Sequence, residues 1–328
     1  MANRRIIDII GILGGFFFLL EVGFAKVKVD AAMRLGAQTL GVESGEPRHE
    51  LDLTFKSNKV DGYRAEGKIS ARYEEAGVVT EWLRIKKDTA SQGKIEFGYI
   101  RKRMGLEYEF SSKNRDTPVR SYLYRQLKRF SYVGLHTGVR YKSKDHKISG
   151  SSMSLGASQS QDASFIWKES FTFHDISVKN WLLLQRDHIE NDAQLAYADI
   201  LSISQKSQKS LWEVELFYGL NPLKSELENT YFSSYDVHFY AMKARYGFYT
   251  GQSEYDRFLL LLQGSLLVLD DRTPEVNSRA LMLGVNYLAA KNVRFSFMAE
   301  MVYENSMADL EKRVLDESRI VFESRLDF

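Results

Sequence analysis

Between Arg101 and Asp145 the chain sets twelve basic residues against four acids, Glu107, Glu109, Asp116 and Asp145. This one stretch carries +8 in a chain whose formal net charge is +2. Guanidinium and ammonium groups at that density favour anions when they line a narrow passage. Low-dielectric walls focus the field, and one sign of charge raises the local counter-ion concentration. The candidate constriction and anion-binding residues are Lys102, Arg103, Arg115, Arg120, Arg125, Lys128 and Arg129. Charge-assisted hydrogen bonds from them would replace part of an anion's hydration shell, and several modest sites in series permit release as well as uptake. Other chemistries find little support. Cysteine is absent, and the six histidines, His49, His136, His146, His174, His188 and His238, show no metal-ligand spacing. There is no Gly-x-Ser-x-Gly elbow and no phosphate-cradling glycine loop. The expectation is no catalytic residue, no metal and no cofactor.

These cations lie largely in a segment, residues 105–130, that breaks the alternation found elsewhere. Asp116 or Thr117 can cap a helix with Pro118 at its first position. At 100° per residue, Arg120, Tyr124, Arg125, Lys128 and Arg129 then share one half of the cylinder, and Val119, Tyr122, Leu123, Leu127 and Phe130 the other. One half would pack on an inner wall while the other offers cations. Two other placements remain open: a helix at an outer rim gripping lipopolysaccharide phosphates, and an ordinary solvated surface helix.

The elements around this segment read as strands of period two. From residue 319 to the end, Ile320, Phe322, Ser324, Leu326 and Phe328 alternate with Val321, Glu323, Arg325 and Asp327. A last strand with an apolar face against lipid and a charged face against a watery lumen belongs to an outer-membrane barrel. Phe328, Leu326 and Phe322 would form its barrel-insertion signal. Tyr63, Ala65, Gly67, Ile69, Ala71 and Tyr73 likewise oppose Arg64, Glu66, Lys68, Ser70, Arg72 and Glu74. Val293, Phe295, Phe297, Ala299, Met301 and Tyr303 oppose Arg294, Ser296 and Glu300. Asn180 to Arg186 and Phe258 to Val268 are apolar on both faces in places, as strands at a subunit interface or under an inserted loop would be.

Residues 1–25 read as a secretory signal peptide, with Arg4 and Arg5 ahead of the apolar Ile9–Leu20 and small residues at Gly23 and Ala25. Residues 26–328 then form one transmembrane porin-like domain. Turn signals divide it into about sixteen strands of roughly 19 residues each with their connections. The fold class expected is all-β, a transmembrane antiparallel β-barrel of about sixteen strands with an inserted constriction loop carrying a short helix. That implies a passive channel in the outer membrane of a Gram-negative-type bacterium, preferring anions such as phosphate, rather than an enzyme. The expected partners are outer-membrane lipid and lipopolysaccharide, small anions, the barrel-assembly machinery and two further copies in a homotrimer. Nucleic acid is excluded by the export route. The alternative is a lipase- or protease-type barrel enzyme, or an adhesin, without an open pore.

Two patches and the terminal Phe328 also resemble the phosphate-selective porin O and P family. The first is Arg101-Lys-Arg-Met-Gly105-Leu106-Glu107 with Ser111-Ser112 and Arg120-Ser121. The second is Leu283-Gly-Val-Asn286-Tyr with Asn292-Val-Arg294-Phe, similar to the family's penultimate hairpin. Met104 stands where the family usually has a Pro-aromatic pair. The resemblance implies sixteen strands, a homotrimer and passage of anions, with phosphate or polyphosphate preferred.

Overall fold

Alternation along the chain becomes alternation across a wall. The computed structural model describes residues 27–40, 46–72, 77–89, 93–102, 104–109, 116–129, 134–142, 149–157, 163–189, 192–220, 238–251, 253, 255–268, 277–305 and 318–327. The first strands are β1 (Val27–Leu40), β2 (Glu46–Ser57), β3 (Tyr63–Arg72), β4 (Gly77–Asp88) and β5 (Lys94–Lys102). Two helices follow, α1 (Leu106–Glu109) and α2 (Tyr122–Arg129). Then come β6 (Gly134–Lys142), β7 (Ser149–Ala157), β8 (Ala163–Phe173), β9 (Ile176–Ile189), β10 (Asp192–Lys206) and β11 (Ser210–Leu220). The last five are β12 (His238–Tyr249), β13 (Arg257–Val268), β14 (Asn277–Ala290), β15 (Val293–Asn305) and β16 (Arg319–Asp327).

Every strand pairs antiparallel with its sequence neighbours, and β16 pairs back onto β1, so the sixteen strands close into one barrel. Closure leaves no unpaired edge, which a chain crossing lipid requires. Side chains sort accordingly. In β12, Tyr240, Met242, Tyr246 and Phe248 point outward and are exposed, while Phe239, Ala241, Lys243, Arg245 and Tyr249 are buried within. The terminal strand follows its expected faces: Ile320 and Phe322 lie outside, and Val321, Glu323 and Arg325 inside. Phe258, Tyr287 and Phe295 stack outward side by side at one rim, with ring centroids 4.9 and 6.4 Å apart, as part of an aromatic girdle. No helix among the described residues is long and apolar enough to cross a membrane, so the crossing is made by strands.

The insert between β5 and β6 is where the expectations need correcting. Residues 116–119 bend instead of opening a helix, and α2 starts only at Tyr122. The physical cause lies in the wall. Asn286 Nδ2 donates to the Asp116 carbonyl at 2.5 Å, and Val119 packs among Met282, Met298 and Val321. This stretch is thus drawn flat against β14–β16. The first helical bond is Arg125 N–H to the Ser121 carbonyl, 3.0 Å, making Ser121 the cap residue in place of Asp116 or Thr117. The expected split of the helix faces also changes. Tyr124 groups with the cations by angle, yet it is fully buried, edge-on to Phe217 at 5.8 Å.

Of the two strands that read as apolar on both faces, β9 has its explanation here, while Leu259 and Leu261 of β13 pack on Leu211, Tyr249 and Leu288 of the wall. Trp181 and Leu183 of β9 point inward and form one cluster with Met104, Leu106, Leu123 and Tyr124 of the insert, together with Phe217, Phe239 and Leu267. They pack against an inserted loop, one of the two alternatives their pattern left open. Each fully buried Leu or Phe stabilises by about 1.5–3 kcal/mol. Apolar burial therefore supplies most of what keeps the insert against β9–β13, and the polar contacts decide where along the wall it sits.

Candidate pore constriction and its charged wall

Three buried carboxylates fasten the insert. Glu215 on β11 accepts the Leu106 N–H at 2.8 Å and the Tyr124 hydroxyl at 2.7 Å. Glu107, in α1, accepts the Ser121 N–H at 2.9 Å and the Ser121 hydroxyl at 2.7 Å, which ties the two helices together. Glu300 on β15 accepts the Tyr122 N–H at 2.7 Å, Arg125 at 2.7 Å and Arg319 Nε at 3.1 Å. Lys243 pairs with both Glu107 and Glu215, and Arg245 with Glu213. Burial alone would disfavour ionised Glu107. The Lys243 and Arg245 cations and the Ser121 hydrogen bonds outweigh it and hold the carboxyl at about 2. Burial, reinforced by the Glu215 carboxylate, pushes the Tyr124 phenol well above its ordinary value, so it stays a donor.

Glu300→Gln retains an acceptor for the Tyr122 N–H but removes the charge opposite Arg125 and Arg319. Arg319 is only 6% exposed, so it would be left buried without that carboxylate. The expected loss is about 3 kcal/mol, read as a lower urea midpoint of the refolded barrel in detergent. An unchanged midpoint would mean that the pair contributes no net stability.

The expected constriction residues divide into groups. Arg120 and Arg125 are partly exposed on the insert, and the Arg125 charge is matched by Glu300. Arg103 and Arg115 lie outside the described residues, as do the side chains of Lys102, Lys128 and Arg129. Of the residues expected to form an insertion signal, Phe322 faces outward and Leu326 is partly exposed on the last strand, while Phe328 and residues 1–25, the expected leader, lie outside the described residues.

Sequence reasoning missed how the wall gathers its charge. Arg294 stands directly opposite Arg325, and Arg325 directly opposite Arg34, so three arginines form one row across β15, β16 and β1. All point inward. Arg294 is the second residue of β15 whereas Arg34 lies mid-strand, so the row climbs the tilted wall. Like charges directly opposed are unfavourable. Here Glu50 and Asp52 flank Arg34 at 2.7 and 2.6 Å, and Asp327 lies 2.8 Å from Arg325. A second group spans β3–β6. Among the described residues, Arg64, Arg84, Lys86, Arg140 and Lys142 gather around two carboxylates, Glu66 and Glu96, at 2.6–4.0 Å. Cross-strand register produces it, because Arg64, Lys86, Glu96 and Arg140 are successive partners. The Arg84 guanidinium also lies 4.4 Å over the Trp82 ring. Alternation had placed Arg294, Glu300, Glu323 and Arg325 on inner faces, a signal available in the sequence. Their assembly into rows required the register.

The described part of the insert packs against β9–β16, whereas this five-cation group lies across the ring of strands. Across the barrel interior, this cation-bearing wall stands opposite the side on which the described part of the insert packs.

No family model matches the chain, and no curated protein matches it. Solved structures do. The anion-selective porin from Comamonas acidovorans superposes with a TM-score of 0.68 at 10% identity, over 92% of this chain and 99% of that one. Salmonella typhi OmpF, in complex with daunomycin, gives 0.69 at 10% identity over 92% and 98%. The trimer form of OmpT, an outer membrane protein of Vibrio cholerae, gives 0.64 at 12% identity over 92% and 99%. The chain has the fold of the outer-membrane porin barrels.

Proposed function

We propose that this protein is an outer-membrane diffusion channel that passes small hydrophilic solutes down their gradients and favours anions, phosphate among them. It carries out no catalysis and works as a homotrimer. The observation that carries the reading is the density of inward cations on β3–β6, across the ring from the described part of the insert. Five cations there pair with two carboxylates among the described residues, and three arginines, matched by carboxylates, stand in one row across β15, β16 and β1. A partly dehydrated anion finds several guanidinium and ammonium groups along the wall and none with a monopoly on it. That arrangement suits passage over capture. Arg120 and Arg125 add to the field from the insert side.

The test is the zero-current potential of the purified protein in a planar bilayer under a potassium chloride gradient. Stepwise conductance with a chloride-directed potential is expected, together with block by added phosphate. A potassium-directed potential would retain the channel and reject anion preference. No conductance from inserted, folded protein would move the reading to a closed-barrel enzyme or adhesin.

A further inference from the structure

We infer that Lys243 is the positioning residue of the constriction: one buried ammonium on β12 sets where the insert sits and so fixes the width of the passage. The inference rests on the channel reading above. Lys243 is fully buried, and so are both its carboxylate partners, Glu107 of the insert and Glu215 of the wall. Its Nζ lies 3.3 Å from Glu107 Oε1, pairs with Glu215, and stands 4.6 Å over the Tyr124 ring. Each carboxylate in turn holds the insert at two points. Glu215 takes the Leu106 N–H and the Tyr124 hydroxyl, and Glu107 takes both donors of Ser121. A single cation thus connects the start of α1 and the start of α2 to one place on the barrel wall.

The other clamps differ in kind. Glu300 has two cations, and one of them, Arg125, keeps 24% of its side chain exposed, so water can substitute for part of that contact. Asn286 holds the Asp116 carbonyl through a neutral hydrogen bond. Among these clamps, loss of Lys243 takes the nearest cation from two buried carboxylates side by side, and leaves Arg245, which also reaches Asp116 of the insert at 4.0 Å, as the remaining cation near Glu107. A buried pair broken on one side costs far more than the same pair replaced by neutral groups on both sides. The strand ladders close independently of this contact, so the expected response is displacement of the insert.

The test compares wild type, Lys243→Met, and a neutral triple variant, Lys243→Met with Glu107→Gln and Glu215→Gln. The glutamines remove the charges and keep one acceptor oxygen each: at position 215 it serves the Leu106 N–H and the Tyr124 hydroxyl, and at position 107 it serves the Ser121 N–H while the Ser121 hydroxyl can accept from the new amide. Single-channel conductance, open-channel noise and amide hydrogen exchange over residues 104–129 are measured on protein whose heat-modifiable gel mobility shows a folded barrel. Lys243→Met is expected to raise conductance about twofold with a noisy open level and to speed exchange in the insert. The triple variant returns all three readings toward wild type, which a general loss of barrel stability would not do. A folded Lys243→Met with wild-type conductance, noise and exchange overturns the inference. Should Lys243→Met fail to fold, the triple variant decides: steady conductance and protected exchange support the inference, and a loosened insert overturns it. Wild type that never conducts would refute the channel reading, and hydrogen exchange would still judge Lys243.

Discussion

Gly36→Val is expected to abolish the folded barrel. Gly36 sits in β1 opposite Glu323, on the ladder that closes the ring between β1 and β16. A Cβ there would overlap the Phe322 carbonyl oxygen and stand 3.1 Å from the Glu323 Cα, so the obstacle is backbone and cannot rotate away. Relief requires the two strands to part, and a parted seam in lipid exposes N–H and C=O groups that nothing else can satisfy. A loss above about 4 kcal/mol belongs to this kind of mechanism. It would be read as disappearance of the heat-modifiable band after refolding in detergent. Gly264, on β13, is the control: no atom lies within 4 Å of an added Cβ, and Gly264→Ala should fold as wild type does. A Gly36→Val protein that folds normally would show that the seam can open by the ångström or so this overlap demands without breaking.

Neutralising the arginine row should have the largest effect on selectivity. In Arg34→Gln/Arg294→Gln/Arg325→Gln, three inward charges on adjacent strands disappear while Glu50, Asp52, Glu323 and Asp327 remain. That stretch of wall changes from near balance, three arginines against four carboxylates, to acidic. Because a confined lumen amplifies the sign of its lining, the chloride-to-potassium permeability ratio should fall about tenfold. The zero-current potential would shift in the potassium direction, most at low salt, where screening is weakest. The corresponding quadruple replacement on the insert, Arg120, Arg125, Lys128 and Arg129 to glutamine, should act more weakly, since Glu300 keeps Arg319 there, whereas the row variant takes the arginines from four carboxylates. If the insert variant moves the potential and the row variant does not, the selectivity belongs to the insert.

Which side of the wall each strand residue takes was legible along the chain. Period-two alternation depends on each strand alone, so outward Phe295 and Phe297 and inward Arg294 and Glu300 were legible before any partner was known. The strand count, the break at 105–130 and the presence of a short helix there follow from equally local signals. Tertiary structure decided everything that depends on which residue meets which. Helix α2 starts late because Asn286, 170 residues away, holds the Asp116 carbonyl. Tyr124 turns to the wall because Glu215 accepts its hydroxyl, although its helical angle groups it with cations. The pattern around Trp181 and Leu183 suited either a subunit interface or an inserted loop, and only the packed insert decided between them. The arginine row and the Lys243 clamp join groups from strands distant in sequence, brought level by the register of a closed, tilted sheet. Registry is a property of pairs around the whole ring, and a one-dimensional pattern carries only the face of each residue, not its height on the wall.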